Sequence, residues 1–218
     1  MGAETIRQEE WELIGAVIGD GNLYSHKKHY RVHLTGHPKK DRNYYEYLKE
    51  LIRKCWGKKA RIKVRQRALR LTVYSKEVYE KLKKLGIPEG REKHKKVTIP
   101  KMAWRDEGAL KKVIRGIADT DGSVFISDKK RAKAYPSVEI TTSSKTLACE
   151  IRSALNNFGF RVANLRRYKS KKSRCKSYKV SLYGKTNLEK WMKEIGFSNP
   201  SKREKALLCL VGSAPMRS

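Results

Sequence analysis

The sequence predicts an α+β protein of two pseudo-symmetric halves, each an αββαββα unit built on a four-stranded antiparallel sheet. Three observations carry this prediction. First, Leu13-Ile-Gly-Ala-Val-Ile-Gly-Asp-Gly21 and Ile114-Arg-Gly-Ile-Ala-Asp-Thr-Asp-Gly122 are near copies. Each is an apolar run with small residues at helical spacing, ends in an acid and a glycine, and leads into a strand-like segment. Second, Val73–Pro88 resembles Leu182–Phe197, each reading as a strand end, a helix and a glycine stop. Third, the segments between these landmarks alternate apolar and polar residues, the period of a half-buried strand.

In the first half the helices fall near 7–19, 41–55 and 76–85, and the strands near 22–28, 30–36, 59–66 and 68–74. In the second half the helices fall near 106–120, 144–157 and 186–195. Its strands fall near 123–128, 136–142, 160–168 and 176–183. The halves occupy residues 1–88 and 106–218. The linker, 89–105, carries Pro100 and the run Glu92-Lys-His-Lys-Lys96. Ala206–Val211 reads as an extra packing helix. The repeat occurs once and not at a period of 20–50 residues, which excludes a solenoid. Tyr44, Tyr45 and Tyr47 lie in an amphipathic helix and read as packing residues. Gly21 and Gly122 read as left-handed helix stops.

Lys and Arg number 52 against 22 acids in 218 residues, a formal charge of +30 and a pI near 10.1. Solubility needs far less, so the imbalance implies a polyanionic partner, nucleic acid above all. Binding through Z phosphates should then weaken with salt along a log–log slope of ~0.9Z. No apolar run approaches the ~18 residues of a membrane span, and no signal peptide is read at the start. The basic residues also occupy strands, which argues against a membrane-surface helix. Cys55, Cys149, Cys175 and Cys209 form no CxxC pair, which disfavours zinc and disulfides. An intracellular setting is expected, in cytoplasm or nucleoid, or in an organelle of a eukaryotic host. Scarce glutamine, Gln8 and Gln66 only, hints at a heat-adapted source.

The strands show which face meets the polyanion. Ala60–Arg65 and Leu69–Val73 put Arg61, Lys63, Arg65, Arg70 and Thr72 opposite their apolar residues, and Arg31–Thr35 does the same with Arg31, His33 and Thr35. In the second half Val138 and Ile140 point inward, leaving Ser137, Glu139 and Thr141 out, while Tyr178–Leu182 shows Lys179 and Ser181. Counted from each acid, Asn22, Tyr24, His26 and Lys28 share this face, as do Ser123, Phe125 and Ser127. A basic sheet face backed by helices suits a duplex groove. His26, His29, His33 and His37 lack the i, i+4 spacing of a helical zinc site and read as polar contacts on this face. The run Lys169–Lys176 reads as a hairpin tip near phosphates or a solvated loop.

Gly15 and Gly19, and their counterparts Gly116 and Thr120, let two helix backbones approach closely. Such a crossing brings the C-terminal acids Asp20 and Asp121 together at the negative ends of two helix dipoles, where divalent cations would relieve the repulsion. The duplicated motif, the element order and the basic sheets together resemble the LAGLIDADG homing endonucleases in their single-chain, two-motif form. The resemblance implies that the motif helices form the central interface and that the sheets lie in the DNA major groove. It implies that Asp20 and Asp121 bind Mg²⁺, with Mn²⁺ able to substitute, helped by the backbone carbonyls of Gly19 and Thr120. Each acid would then hydrolyse one phosphodiester across the minor groove, leaving short 3′ overhangs. It also implies a monomer on long pseudo-palindromic duplex DNA, encoded in an intron.

The earlier acid position of the motif holds Ile18 in one copy and Asp119 in the other, a departure from the family pattern. The family's pocket bases come from the end of the second strand, where this chain offers His37 and Lys39 in one half, Ser143 and Lys145 in the other. Lys39 and Lys145 are the candidates carried forward. The alternative function is an RNA-binding intron maturase that cuts no DNA; retention of both acids favours cleavage. A DNA-binding regulator on the same fold would be expected to have lost an acid. An intein origin fits poorly, for want of a splicing domain and a C-terminal His-Asn pair.

Overall fold

The computed structural model describes residues 6–90, 93–129, 132–169 and 176–211. Each half opens with a motif helix, α1 (Gln8–Asp20) or α5 (Glu107–Asp121). In the first half β1 (Gly21–His26), β2 (His29–Gly36), α2 (Arg42–Trp56), β3 (Ala60–Arg65), β4 (Ala68–Tyr74) and α3 (Lys76–Lys84) follow. In the second the order is β5 (Gly122–Lys129), β6 (Ala132–Thr142), α6 (Lys145–Asn157), β7 (Arg166–Tyr168), β8 (Ser177–Tyr183) and α7 (Lys185–Glu194). The sheets have matching strand orders, β1-β2-β4-β3 and β5-β6-β8-β7, all antiparallel. That correspondence establishes the internal duplication as structure. Among the described residues no helix is long and apolar enough to cross a membrane.

The alternation predicted for the strands sets their faces. Leu23, Val32, Leu34, Leu69 and Leu71 are wholly buried beneath the first sheet, and Val124, Val138, Ile140, Val180 and Leu182 beneath the second. Tyr44 and Tyr45 are buried on α2, as packing residues should be, whereas Tyr47 is half exposed and donates to Glu12 at 2.9 Å. Gly86 and Gly196 end α3 and α7 in the left-handed conformation.

Four local expectations need correction. Gly21 and Gly122 are extended, at φ −80° and −88°, not left-handed. Glycine is needed there because the chain turns back on its own helix: a Cβ would stand 2.5 Å from the Val17 carbonyl oxygen in one and 2.3 Å from that of Ala118 in the other. The strand expected at 160–168 is reduced to Arg166–Tyr168, with a separate bridge from Val162 to Leu182. The last helix, α8 (Pro200–Val211), begins at a proline, whose missing N–H costs nothing at a helix start. The linker is partly helical, containing α4 (Lys93–Lys96) and a 3₁₀ turn at Lys101–Arg105. Cys55, Cys149 and Cys209 are free thiols; Cys175 and most of the Lys169–Lys176 run lie outside the described residues.

Candidate active site

The site is set by how closely α1 and α5 cross. A Cβ on Gly15 would stand 2.2 Å from the Val113 carbonyl oxygen, and one on Gly116 2.1 Å from that of Glu12. Both are impossible contacts, so the two backbones touch where the sequence supplies no side chain. Further along, a Cβ on Gly19 would lie 2.0 Å from the Thr120 hydroxyl and 3.3 Å from Asp121 Oδ2. The last turns of the two helices are therefore side by side, and Asp121 arrives beside the other motif's turn.

Asp121 opens on a pocket lined by Ile18, Gly19, Val97, Thr141, Thr142, Ser143 and Ser177. On the other side, Tyr45 of α2 carries its hydroxyl into the same acidic neighbourhood. Burial, and then the charges of Asp20, Asp41 and Asp121, push its ionisation far above the ordinary phenol range. The hydroxyl is buried with no hydrogen-bond partner among the described residues. Gly36 makes room for it: a Cβ there would be 2.7 Å from the Tyr45 oxygen and 2.9 Å from Asp41 Oδ2. Asp41 itself accepts the His37 N–H at 2.7 Å.

α8 closes this end of the helix pair. Asp119 is buried and accepts the Ser198 and Asn199 N–H groups, both at 3.0 Å. Burial raises its pKa to about 7. It is thus a structural anchor for the segment entering α8, which explains an acid at a position where the first motif holds Ile18. From α8, Lys202 Nζ donates to the Ala118 and Thr120 carbonyls, both at 2.9 Å. Burial lowers its pKa, against the opposing charges of Asp119, Asp20, Asp41 and Asp121.

Lys39 is exposed on the His37–Asp41 turn, its backbone N–H donating to His37 Nδ1. Lys145 is exposed in the first turn of α6 and does not line the Asp121 pocket, whereas Ser143 does. The Thr120 carbonyl, expected as a metal ligand, is held by Lys202. Asp41, Tyr45 and Lys202 come from regions distant in sequence from both motifs, so no spacing pointed to them. Pro200 after Asn199, an N-cap and first-turn pair, was the available clue to an earlier start for α8.

The first sheet presents the predicted basic face. Cross-strand register aligns Asn22, His33, Thr72 and Arg61 in one row and Thr35, Arg70 and Lys63 in the next. A groove runs between Arg31, His33, Arg61, Lys63, Arg65, Arg70, Thr72 and Tyr74. Arg31 lies over the Tyr24 ring at 4.1 Å, and the Nε atoms of Arg31 and Arg70 are buried without partners among the described residues. His26 ends β1 opposite His29, and Lys28 lies in the turn beyond it, exposed but outside the strand phase that nominated it.

The second sheet is different. Ser123 is exposed, Phe125, Ser127, Thr141 and Lys179 are half-buried, and Ser137, Glu139 and Ser181 are buried. Glu139 and Ser181 were expected to contact a ligand; the structure instead makes Glu139 the hub of an ion cluster. It accepts from Lys179 at 2.6 Å, Arg166 at 3.2 Å and Ser181 at 3.0 Å, so its carboxylate is spent on neighbours of the same face. Alternation set the correct face but not what would lie over it.

The polar side chains that line the Asp121 pocket carry oxygen, the donor a hard divalent cation prefers. Among the described residues no group of three or more His, Cys, Asp and Glu side chains is placed to hold a metal. The Tyr45 hydroxyl, without a partner among the described residues and within the field of Asp20 and Asp121, has hydrogen-bonding capacity to spare for a cation-bound water. The residues fit a Mg²⁺-type ion held by one or two carboxylates with water and a phosphate completing its shell.

Residues 109–196 match the family model described as a LAGLIDADG-like domain. The chain has the LAGLIDADG fold. It superposes on the homing endonuclease I-DmoI in complex with DNA and Mn with a TM-score of 0.63, 19% identity, and coverage of 89% of this chain and 99% of that one. The N-terminal LAGLIDADG domain of DUF199/WhiA aligns with a TM-score of 0.56 at 14% identity, covering 91% and 87% of the two chains. At these identities the likeness carries the LAGLIDADG fold and not an activity. In sequence, the replication factor C small subunit of Methanocaldococcus jannaschii is 32% identical over 200 residues, covering 92% of this chain. The chain spans only a tenth to a fifth of the length of the first curated relatives it matches.

Proposed function

We propose that this protein is a sequence-specific, divalent-metal-dependent DNA endonuclease that cuts both strands of a duplex, one phosphodiester at each motif acid. One observation carries the reading. The crossed helices deliver Asp20 and Asp121 to the same end of a single chain that also bears an arginine-rich sheet face. A regulator or RNA chaperone needs the basic face but has no use for two carboxylates converging at helix C-termini, where both dipoles oppose them.

The pair of acids would between them provide for Mg²⁺, or Mn²⁺ in its place. When bound, the ion lowers the pKa of a coordinated water and neutralises charge on the scissile phosphate. The protein's residues do the rest. The first sheet sets register through phosphate and base contacts from Arg31, Arg61, Lys63, Arg65 and Arg70. The hydroxyls of Ser143 and Ser177 and the buried Tyr45 hydroxyl orient water near the acids. Acting as a monomer on a long, imperfectly palindromic site, the two acids would cut across the minor groove and leave short 3′ overhangs. The match to a small part of long replication proteins favours a segment carried within a host chain over one encoded alone in an intron.

Cleavage of a randomised duplex library tests this reading. With Mg²⁺, sequencing of the ends should recover one long asymmetric motif cut at a fixed stagger; with Ca²⁺, the same motif should be bound without that cut. Absence of enriched ends with Mg²⁺, together with retention of structured RNA, would favour the maturase instead.

A further inference from the structure

A duplicated motif predicts two equal half-sites, and this chain has unequal ones. The segment following each repeat reaches the helix crossing. After the first repeat, the linker brings Val97, an apolar side chain 2% exposed, to the wall of the Asp121 pocket. After the second, α8 brings Lys202 to the carbonyls of Ala118 and Thr120. Thr120 precedes its acid as Gly19 precedes Asp20, so its carbonyl is the pseudo-symmetric counterpart of Gly19's. An ammonium has three donors and no acceptor, and here two donors are committed to main-chain oxygens of the α5 terminus. A positive charge at a helix C-terminus is favourable, and the acids that bear on Lys202 are Asp119, Asp20, Asp41 and Asp121. Asp121 shares its pocket with Gly19 of the other motif, so the pseudo-symmetry of the crossing sets Asp20 against Thr120.

We propose that Lys202 is a positioning residue whose ammonium takes the place of a cation at the Thr120 carbonyl, so that the two acids work in unlike half-sites. Asp121 serves a half-site that takes a divalent ion; Asp20 serves one charged by the protein itself. The consequence for strand cutting rests on the endonuclease reading, but the placement of charge does not.

The test counts Mn²⁺ bound to the full chain without DNA, by electron paramagnetic resonance of the free ion. The wild type should hold one ion, lost in Asp121→Asn and kept in Asp20→Asn. Lys202→Met should hold two, and Lys202→Arg, which keeps the charge, one. Equal counts in wild type and Lys202→Met, two ions in the wild type, or none in either, would overturn the proposal. Should Lys202→Met fail to fold by circular dichroism, the contrast between Asp20→Asn and Asp121→Asn in the wild-type background decides it alone. A wild type that binds its one ion yet cuts no DNA would sink the endonuclease reading while leaving Lys202 in place. Cutting accompanied by two bound ions would do the reverse.

Discussion

Gly15 lies so close to Val113 of the opposite motif helix that a Cβ would stand 2.2 Å from the valine's carbonyl oxygen. The reciprocal contact, Gly116 against Glu12, is equally tight at 2.1 Å. These two glycines fix how near the acids come, because the helix axes can approach no closer than their side chains allow.

Gly15→Ala or Gly116→Ala should therefore force the helices apart and destabilise the fold by at least about 3 kcal/mol, the upper range for overpacking. Thermal unfolding checks this, with Gly57→Ala as comparison. Gly57 faces open space but is left-handed at φ +60°, and should lose about 1–2 kcal/mol. Equal losses at all three positions would mean the crossing is not tight.

Arg70 and Arg65 should separate base reading from phosphate anchoring. Arg70 is half-buried within the groove and its Nε has no accessible surface, so its guanidinium is aimed. Arg70→Gln should relax preference at one base step by about 1–3 kcal/mol. Arg65 is exposed at the end of β3, and Arg65→Gln should instead reduce the salt slope of binding by ~0.9 for every sequence alike. Competition binding on the recovered target and on random duplex, across a salt series, distinguishes the two.

The fold was legible in the sequence for a definite reason: alternation in β2 and β4, and small residues in α1 and α5, are dictated by burial, and burial was read correctly at Val32, Leu34, Leu69 and Leu71. The acids were legible because each sits at the end of its own copy of the motif. Lys202 was not, being one of 52 basic residues with nothing local to mark it. Nor was the Tyr45 hydroxyl, since a packing tyrosine and one aimed at a site look alike in sequence. Glu139 was misread because strand phase gives a side chain's direction, while its cover comes from Lys179 and Arg166 on other strands.

Glu139→Gln should raise nonspecific DNA affinity and steepen its salt dependence. The carboxylate now holds Lys179 and Arg166, and its loss frees both cations for phosphate, adding up to ~0.9 to the slope for each. Weaker binding with lost preference at one base would instead assign Glu139 to the DNA interface.

Glu89 gives a pH dependence of stability. It joins the linker to the edge strand β1, accepting from Tyr79 at 2.6 Å, from the Ser25 hydroxyl at 2.7 Å and from the Ser25 N–H at 2.6 Å. The Tyr79 hydrogen bond first, then those from Ser25, hold its carboxyl below the ordinary value of 4.5. A lowered folded pKa means the stabilisation is present above about pH 4.5 and is lost as pH falls through the folded value. Glu89→Gln should melt below the wild type at neutral pH by about 1 kcal/mol, and the two curves should converge in acid. A difference that persists unchanged to low pH would show that the charge is irrelevant there.

Strand-resolved cleavage of the recovered target by Asp20→Asn and Asp121→Asn, with binding measured in parallel, tests the central claim most directly. Each variant should bind the duplex about as tightly as the wild type, cut at most one strand, and leave opposite strands intact; the double variant should cut neither. Complete double-strand cutting by either single variant would show that these acids do not perform the hydrolysis.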